Sequence, residues 1–409
     1  MNKILIACLL ILQVVLAADA KFEIVKGGKK VPTIMIHIGN ANLEQKISKL
    51  LIKDLEMSGN FSVVSQEKER EENPSYVFYQ AKSIDLFAFI FQENGGFGLE
   101  LFDVHSKKKV LQRVYKLPIK EYPFLAHKMA NAINQYLGAP SIEWMERKIV
   151  LSKLIAPSKS AIVIADYTLT FQENIIDDGL NIFPKWADKE QTSIFFTKYL
   201  DQPTILKYDL KKKKFEKILS SQGIAVVSDV SDDYQKILVS MSPIAQADVY
   251  LYDLMARSLK RLTNYPGIDV GANFVENKKK IIFISDRLGY PNVFSMNFDG
   301  SGVEQAVFHG RNNSSTTSNG EYIVYSSREE KNEFGTSVFN LYFIGLDGSA
   351  IRRLTSYGAN QMPRFSQDGE NIMFLKNTET QSALGIVRLR YNKTFLFPIS
   401  KVKIQSFDW

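Results

Sequence analysis

The most constraining feature of this chain is a repeat of about 44 residues that runs from Trp186 to the C-terminus. The clearest copy covers 363–374, where an anchor residue, Phe365, precedes the start of an apolar strand at Ile372 by seven residues. The six anchors, which follow one another at intervals of 42 to 49 residues, are Trp186, Val230, Phe274, Thr316, Phe365 and Phe407. A period of this size with short β-like runs is typical of β-propellers with WD40-like repeats. Six anchors therefore predict an all-β propeller of six blades.

The incomplete ends of the repeat predict how such a ring closes. From about Lys148 onward we expect only strands and turns, with four strands in each complete blade. The final segment, Lys403–Trp409, supplies one anchor strand, and the first blade lacks its own. Pairing the C-terminal strand into the first blade would remove two open sheet edges.

The region ahead of the repeats has a different pattern. Short apolar runs alternate with two segments of helical periodicity, 43–55 and 126–137. The order β-α-β-(α)-β-β-β-α predicts an α/β domain with a mixed sheet and helices on one face. We expect an α/β domain at 21–140 and a propeller at 141–409.

Residues 1–20 read as a cleaved secretory signal. Lys3 precedes an apolar core, and Ala18-Asp19-Ala20 fits a cleavage site. A membrane anchor is the weaker interpretation, because the apolar run is short of the ~20 residues that a span needs. Leu5-Ile6-Ala7-Cys8 resembles a lipobox but comes too early. Cys8 is the only cysteine, so the mature chain would have no disulfide or thiolate site.

The remaining sequence weighs against a nucleic-acid surface and against an oligopeptidase-like enzyme. The formal net charge is +7, and the lysine runs at 211–214 and 278–280 are expected to be solvated turns rather than a nucleic-acid surface. No Gly-x-Ser-x-Gly motif occurs, and the histidines (His37, His105, His127 and His309) lack the spacing of a metal site. Asp229, Asp232 and Asp233 are interpreted as a polar turn, with Ca²⁺ binding kept as an alternative.

Antiparallel blades would gather the loops after strands two and four on one face, which we call the mouth. These loops are longer and more varied than the turns at the other end, so a binding surface is expected there. The candidate residues are Gly223, Ala225, Val226, Asp269, Val270, Asp286, Arg287, Tyr290, Asn312, Ser314, Asn360 and Gln361.

Several segments resemble the TolB family, the periplasmic component of the Tol–Pal system. They are the start at 21–25, the helix at 47–61 with its Ser-Gly-x-Phe turn, the Arg-Leu-Thr triplets at 261–263 and 353–355, and the blade segments 285–291 and 296–302. The order of signal, strap, α/β domain and six blades is more specific than the repeats alone. The chain departs from the family pattern at 223–227 and 268–271, where the family often has His-Asn-Gly-Ala-Pro and Asn-Thr-Glu-Pro, and in the turns of the third and fifth blades.

The resemblance implies a monomeric, non-enzymatic periplasmic scaffold with no cofactor, no transmembrane span and no nucleic-acid partner. Its mouth would bind the lipoprotein Pal, and its strap (Phe22, Glu23, Ile24 and Val25) and N-terminal domain would engage TolA, in support of outer-membrane integrity and envelope constriction during division. Other outer-membrane or peptidoglycan-associated proteins are further candidate partners. Two alternatives use the same mouth. An exported enzyme would need Asp269, Asp286 and His309, and a glycan-binding propeller would need aromatic platforms such as Tyr290.

Overall fold

The computed structural model describes residues 31–93, 95–328, 338–378, 381–399 and 402–409. The predicted signal at 1–20 and the strap residues Phe22, Glu23, Ile24 and Val25 lie outside these ranges. Among the described residues, no helix has the length and apolar character needed to cross a membrane.

The first part of the described chain is a mixed five-stranded sheet with three helices. The strands are β1 (Thr33–Ile38), β2 (Ser62–Glu67), β3 (Leu86–Glu93), β4 (Gly96–Asp103) and β5 (Lys108–Tyr115), and the helices are α1 (Asn42–Ser58), α2 (Tyr76–Ala81) and α3 (Tyr122–Tyr136). The sheet order is β2-β1-β3-β4-β5, with β1 parallel to both of its neighbours and the last three strands antiparallel. The predicted mixed sheet is confirmed.

The two faces of this sheet hold different helices. Ile34, Ile36 and Ala88 point into one core with apolar residues of α1 and α3. Alternate residues point the other way, and Phe87 stacks on Tyr79 of α2 with ring centroids 3.7 Å apart. The expectation of helices on one face is therefore wrong for α2, because the strands are apolar on both sides and each side needs a cover.

From Ile149 onward the described chain is strands, turns and two short 3₁₀ helices. The strands, grouped by sequence repeat, are β6 (Ile149–Ala156), β7 (Lys159–Ala165) and β8 (Gln172–Ile176); β9 (Asn181–Trp186), β10 (Ser193–Tyr199), β11 (Pro203–Asp209) and β12 (Lys214–Ser220); β13 (Ala225–Val230), β14 (Lys236–Met241), β15 (Asp248–Asp253) and β16 (Ser258–Arg261); β17 (Asp269–Val275), β18 (Lys280–Ser285), β19 (Asn292–Asn297) and β20 (Glu304–Gln305); β21 (Arg311–Ser318), β22 (Tyr322–Arg328), β23 (Phe339–Gly345) and β24 (Arg352–Arg353); β25 (Ala359–Phe365), β26 (Asn371–Asn377), β27 (Ser382–Arg388) and β28 (Lys393–Ile399); and β29 (Ile404–Asp408).

These strands form successive antiparallel meanders. Strands β9–β12, β13–β16 and β17–β20 are separate four-stranded sheets, and β21–β28 form one larger sheet whose halves are joined by a single parallel bridge between Phe339 and Ala359. The last strand, β29, pairs antiparallel with β6 in the order β29-β6-β7-β8. This is the partner that the incomplete repeat predicts. Each sequence anchor lies in the first strand of a meander or in β29.

Neighbouring sheets pack face to face through apolar side chains. Leu238 and Val249 of one sheet share a core with Phe274, Ile281 and Phe283 of the next. Another core crosses between the sheet–helix part and the strands, and includes Ile133 of α3, Leu151 of β6 and Met373 of β26. Residues 31–409 form one compact unit, so a boundary near residue 140 stays a prediction.

The two Arg-Leu-Thr triplets stabilise the loops that lead to β17 and β25. The Thr263 hydroxyl donates to Asp248 Oδ1 (3.1 Å) and accepts from the Val249 amide (3.0 Å), while Arg261 Nε donates to the Thr263 carbonyl (2.8 Å). The second triplet repeats the arrangement, with Thr355 bonded to Asn340 and to the Leu341 amide. The motif thus ties the start of a third strand to the loop after the fourth.

The Asp-Gly turns at the opposite end use a left-handed residue. Gly369 has φ of 70°, and its amide donates to the Ser366 carbonyl (2.8 Å). Asp368 Oδ1 accepts from the Glu370 amide (3.0 Å). Only glycine adopts this conformation without steric cost, so an Asp-Gly pair in the sequence predicts such a turn.

Candidate partner-binding site

The loops at the mouth carry exposed apolar side chains, which we call the apolar crown. Its members are Leu200, Ile244, Ile268, Leu288, Phe308 and Tyr357, each from a different loop that follows a second or fourth strand. Ile244 is 87% exposed and Phe308 is 78% exposed. Single exposed apolar residues are common on protein surfaces, but a series on one face indicates an interaction surface.

The twelve candidate residues of the mouth differ in their exposure. Gly223, Asn312 and Ser314 are exposed, and Val226, Val270, Asp286, Arg287, Tyr290 and Gln361 are partly exposed. Ala225, Asp269 and Asn360 are buried. These three side chains offer no surface to a partner, so any role they have in binding is to position the loops around them.

Asp269 and Arg287 form an ion pair with a fully buried carboxylate in the mouth. Arg287 Nη2 lies 3.1 and 3.2 Å from the two carboxylate oxygens of Asp269, and its Nε donates to Ser285 Oγ (2.8 Å). The guanidinium also lies over the rings of Tyr265 and Phe294, with 5.2 and 4.9 Å to their centroids. Because Asp269 is fully buried, this pair fixes the root of the loop between β18 and β19.

Two further polar side chains hold neighbouring loops. Asp286 Oδ1 accepts a hydrogen bond from the Ile268 amide (2.8 Å), which places the exposed Ile268 at the surface. Asn360 Nδ2 donates to the Tyr357 carbonyl (2.9 Å) and the Phe339 carbonyl (3.2 Å), and so supports the loop that presents Tyr357. Aromatic side chains at the rim lie beside cations, with Arg311 near Tyr290 and Lys376 near Tyr357.

The three residues required by the enzyme alternative do not converge in the structure. His309 Nδ1 lies 2.8 Å from the Tyr325 hydroxyl, and its ring packs on Tyr342. Asp269 and Asp286 have the separate partners given above. Over the described part of the chain, no hydrogen bond or ion pair joins His309 to either carboxylate, so the arrangement provides no acid–base pair.

A polar cavity of about 620 Å³ lies among the first strands of the meanders, at the end away from the mouth. Lys185 Nζ donates to Asp408 Oδ1 (2.9 Å), and Arg364 lies 3.8 Å from the same oxygen. Burial lowers the pKa of Lys185 and raises that of Asp229, whose Oδ2 accepts from the Phe274 amide (2.9 Å). The cavity therefore holds an internally paired set of charges.

The aspartates of the proposed polar turn serve different segments. Asp229 bonds to the backbone of β17, whereas Asp233 Oδ1 accepts from Ser231 Oγ (2.6 Å) and the Gln235 amide (3.0 Å) within its own turn. In the described ranges, no three histidine, cysteine or acidic side chains are placed to hold one metal ion. Ca²⁺ binding stays an untested prediction.

A buried polar network, which we call the joint, connects α1 and α3 to the loop after β7. His127 Nδ1 lies 2.7 Å from Asp54 Oδ2, and its Nε2 lies 3.3 Å from Asp166 Oδ2. The Tyr167 hydroxyl donates to Asp54 Oδ1. Burial opposes the charged imidazole, but the two carboxylates prevail and raise the pKa of His127 to about 9. Burial also raises the pKa of Tyr167, which stays a neutral donor.

A second buried contact connects α1 to the strands, at β27. Arg388 of β27 is 1% exposed, and its Nη1 donates to the carbonyls of Met57 (3.0 Å) and Ser58 (2.9 Å) at the end of α1. A cation at a helix C-terminus meets unpaired carbonyls and the negative end of the helix dipole. The neighbouring Tyr391 hydroxyl donates to Asn60 Oδ1 (2.6 Å).

Sequence reasoning missed the joint and Arg388. His127 is 73 residues from Asp54 and Arg388 is 331 from Met57, so no local spacing relates them. The one sequence feature that points to the joint is His127, a histidine within the otherwise apolar helical pattern at 126–137. His37, by contrast, is buried in an aromatic cluster, bonds to the Tyr79 hydroxyl (2.8 Å) and has its pKa lowered by burial to about 4.

Comparison with known proteins gives one consistent family. The family model described as "TolB beta propeller domain" matches residues 149–406. The Tol-Pal system protein TolB of Helicobacter hepaticus is 49% identical over 96% of both chains, and that of Wolinella succinogenes is 49% identical over the full length of both.

A solved structure agrees with the fold. The crystal structure of TolB from Acinetobacter baumannii superposes with a TM-score of 0.76 at 22% identity, and the match covers 94% of this chain and 98% of that one. With the mixed sheet, the meanders and the full-length similarity together, this chain belongs to the TolB family of the Tol–Pal system.

Proposed function

We propose that this chain is a non-enzymatic scaffold of the Tol–Pal system that acts in the periplasm. Its mouth binds the lipoprotein Pal, and the strap at Phe22, Glu23, Ile24 and Val25, together with the α/β domain at 21–140, engages TolA. In this way it supports outer-membrane integrity and envelope constriction during cell division. Membership of the TolB family and the exposure of the mouth support this proposal.

We also infer that residues 141–409 form six blades. The sheets β9–β12, β13–β16 and β17–β20, the two halves of the β21–β28 sheet, and the sheet β29-β6-β7-β8 each supply four strands. The β29–β6 pairing would then be the closure of the ring. A closed ring would hold the loops of the mouth at fixed distances, as recognition of a folded partner requires.

The proposal that Pal binds at the mouth rests mainly on the apolar crown. Central apolar anchors surrounded by polar groups are the usual energetic core of a protein interface. In the mouth, Ile244 and Phe308 are the most exposed members, and Arg287, Asn312 and Ser314 lie in neighbouring segments. A partner that covers Ile244 and Phe308 would remove them from water and gain roughly 1.5–3 kcal/mol from each fully buried side chain.

Calorimetric titration with the soluble domain of Pal from the same organism tests the proposal. We expect saturable one-to-one binding by the intact chain, and a loss of at least tenfold in affinity for Ile244→Ser combined with Phe308→Ser. Ile119→Ser is the control, because Ile119 is 72% exposed but lies in the sheet–helix part. Absence of binding by a folded sample, or equal losses in control and double variant, would refute Pal binding at the mouth.

A further inference from the structure

Two adjacent hairpins at the end of the strands away from the mouth form a surface that we call the basic ridge. It consists of Lys211, Lys212, Lys213, Lys214, Phe215, Lys217, Met255, Arg257 and Lys260. All of these residues are exposed. They lie in the turn between β11 and β12, in β12 itself, and in the turn between β15 and β16 with the start of β16.

Direct contacts make the ridge continuous across neighbouring sheets. Arg257 Nη2 lies 3.1 Å from Glu216 Oε1, which joins the second hairpin to β12. Lys260 Nζ donates to the Asp299 carbonyl (3.0 Å) of the next sheet. The cations of the two hairpins therefore belong to one surface.

The charge of the ridge is only partly neutralised by the protein. Between Lys207 and Lys217 the sequence has six lysines and two acidic residues. Lys212 pairs with Asp209 at 3.4 Å. Across the described ranges Lys211, Lys213, Lys214 and Lys217 have no ion-pair partner. Such uncompensated cations attract an anionic surface at distances up to the Debye length.

Apolar side chains stand among these cations. Met255 is 83% exposed at the tip of its hairpin, and Phe215 is 53% exposed between Lys214 and Glu216. Basic residues beside exposed apolar ones are the combination found on surfaces that contact membranes peripherally, where the apolar groups reach the boundary between headgroups and acyl chains.

We propose that the basic ridge docks the protein on the surface of an anionic lipid bilayer. Lysine ammonium groups are point charges on flexible stems, which suits mobile headgroup phosphates more than the fixed geometry of a carboxylate on a folded protein. Met255 and Phe215 supply the second, apolar signal that stable peripheral binding needs. The ridge lies on hairpins at the opposite end of the strands from the mouth, so a partner at the mouth and a bilayer at the ridge do not compete.

Vesicle sedimentation with the intact chain tests the proposal. We expect binding to vesicles of phosphatidylglycerol and phosphatidylethanolamine that weakens with added salt, and much weaker binding to phosphatidylcholine vesicles. A lysine close to an anionic bilayer contributes roughly a fivefold gain in partitioning. The triple variant Lys211→Glu, Lys213→Glu and Lys214→Glu should therefore lose binding by a factor on the order of 100 or more.

The matched control reverses three exposed lysines of α1, Lys46→Glu, Lys49→Glu and Lys53→Glu, which changes the net charge equally. Retained binding by this control, with equal melting temperatures for all samples, would support the ridge, as would a smaller loss for Met255→Ser. Equal losses in both triple variants would overturn the proposal, because net charge alone would explain binding. The proposal would also be overturned if the unaltered chain did not bind anionic vesicles. The same conclusion would follow if the ridge bound an acidic soluble protein but no vesicles.

Discussion

At the scale of single residues, the joint is a fully buried set of acidic and basic side chains. The side chain of His127 contacts those of Asp54 and Asp166, with no solvent exposure at any of the three. Such burial is tolerated only when each charge is paired and hydrogen-bonded. Asp166 meets this condition through His127 and through the amides of Thr168 (2.9 Å) and Phe171 (2.5 Å).

Replacing His127 by glutamine should destabilise the protein by about 3–5 kcal/mol, because one partner of a buried charge set is removed and two carboxylates stay behind. Urea unfolding at neutral pH measures the change. His105→Gln is the control, since His105 is 76% exposed although it lies 2.9 Å from Asp85, and it should cost less than about 1 kcal/mol. Equal losses in the two variants would contradict the account of the joint.

The joint also predicts a pH dependence of stability. The pKa of His127 rises from its ordinary value of 6.5 to about 9 in the folded chain. The stabilisation by the imidazolium is therefore complete below pH 6.5 and is lost as the pH rises through about 9. The stability difference between the unaltered chain and His127→Gln should shrink across this window. A difference that is constant, or that grows with pH, would show that His127 is not the titrating group.

At the scale of elements, the C-terminal strand is held from several sides. The strand β29 pairs with β6. In addition, its Asp408 carboxylate accepts hydrogen bonds from the Lys185 ammonium and from the Trp186 amide (3.0 Å). The last residue, Trp409, donates from Nε1 to the Phe365 carbonyl (2.9 Å) and packs near Trp144, with ring centroids 5.7 Å apart. The end of the chain thus contacts β9, β25 and the segment that follows α3.

Asp408→Ala should cost about 3–5 kcal/mol, because it leaves the buried Lys185 without its carboxylate. Asp178→Ala removes the carboxylate of another lysine–aspartate pair, Lys198–Asp178, in which the aspartate is 76% exposed, and should cost no more than about 1 kcal/mol. The melting temperatures of the two variants, each compared with that of the unaltered chain, test this prediction. If the two melt together, the C-terminal strand is not anchored by this ion pair.

The elements also show what can be predicted from sequence. The strands and turns of the repeat follow from local signals, namely strand alternation and residues that favour positive φ. The β29–β6 pairing follows from the incomplete first and last copies of the repeat. The side of the sheet on which α2 packs does not follow from the sequence, because an apolar strand is compatible with a helix on either face. Likewise the burial of Asp269 and Asn360 could not be read from the mouth segments, since it depends on Arg287 and on backbone carbonyls from other strands.

At the scale of the whole molecule, three surfaces have distinct chemistry. The mouth carries exposed apolar side chains, the polar cavity at the other end holds paired charges, and the basic ridge is cationic. The sheet–helix part shares a core with the strands and is tied to them by the joint and by Arg388. Buried contacts therefore connect α1 and α3 directly to the strands.

Hydrogen exchange of the intact chain with and without the Pal domain tests the central claim most directly. We predict that Pal slows exchange in the mouth loops at 242–247, 264–268, 286–291 and 306–310, and leaves the basic ridge at 211–217 and 255–260 unchanged. Protection confined to the ridge or to the sheet–helix part, or no protection at saturating Pal, would contradict the assignment of the mouth as the partner-binding site.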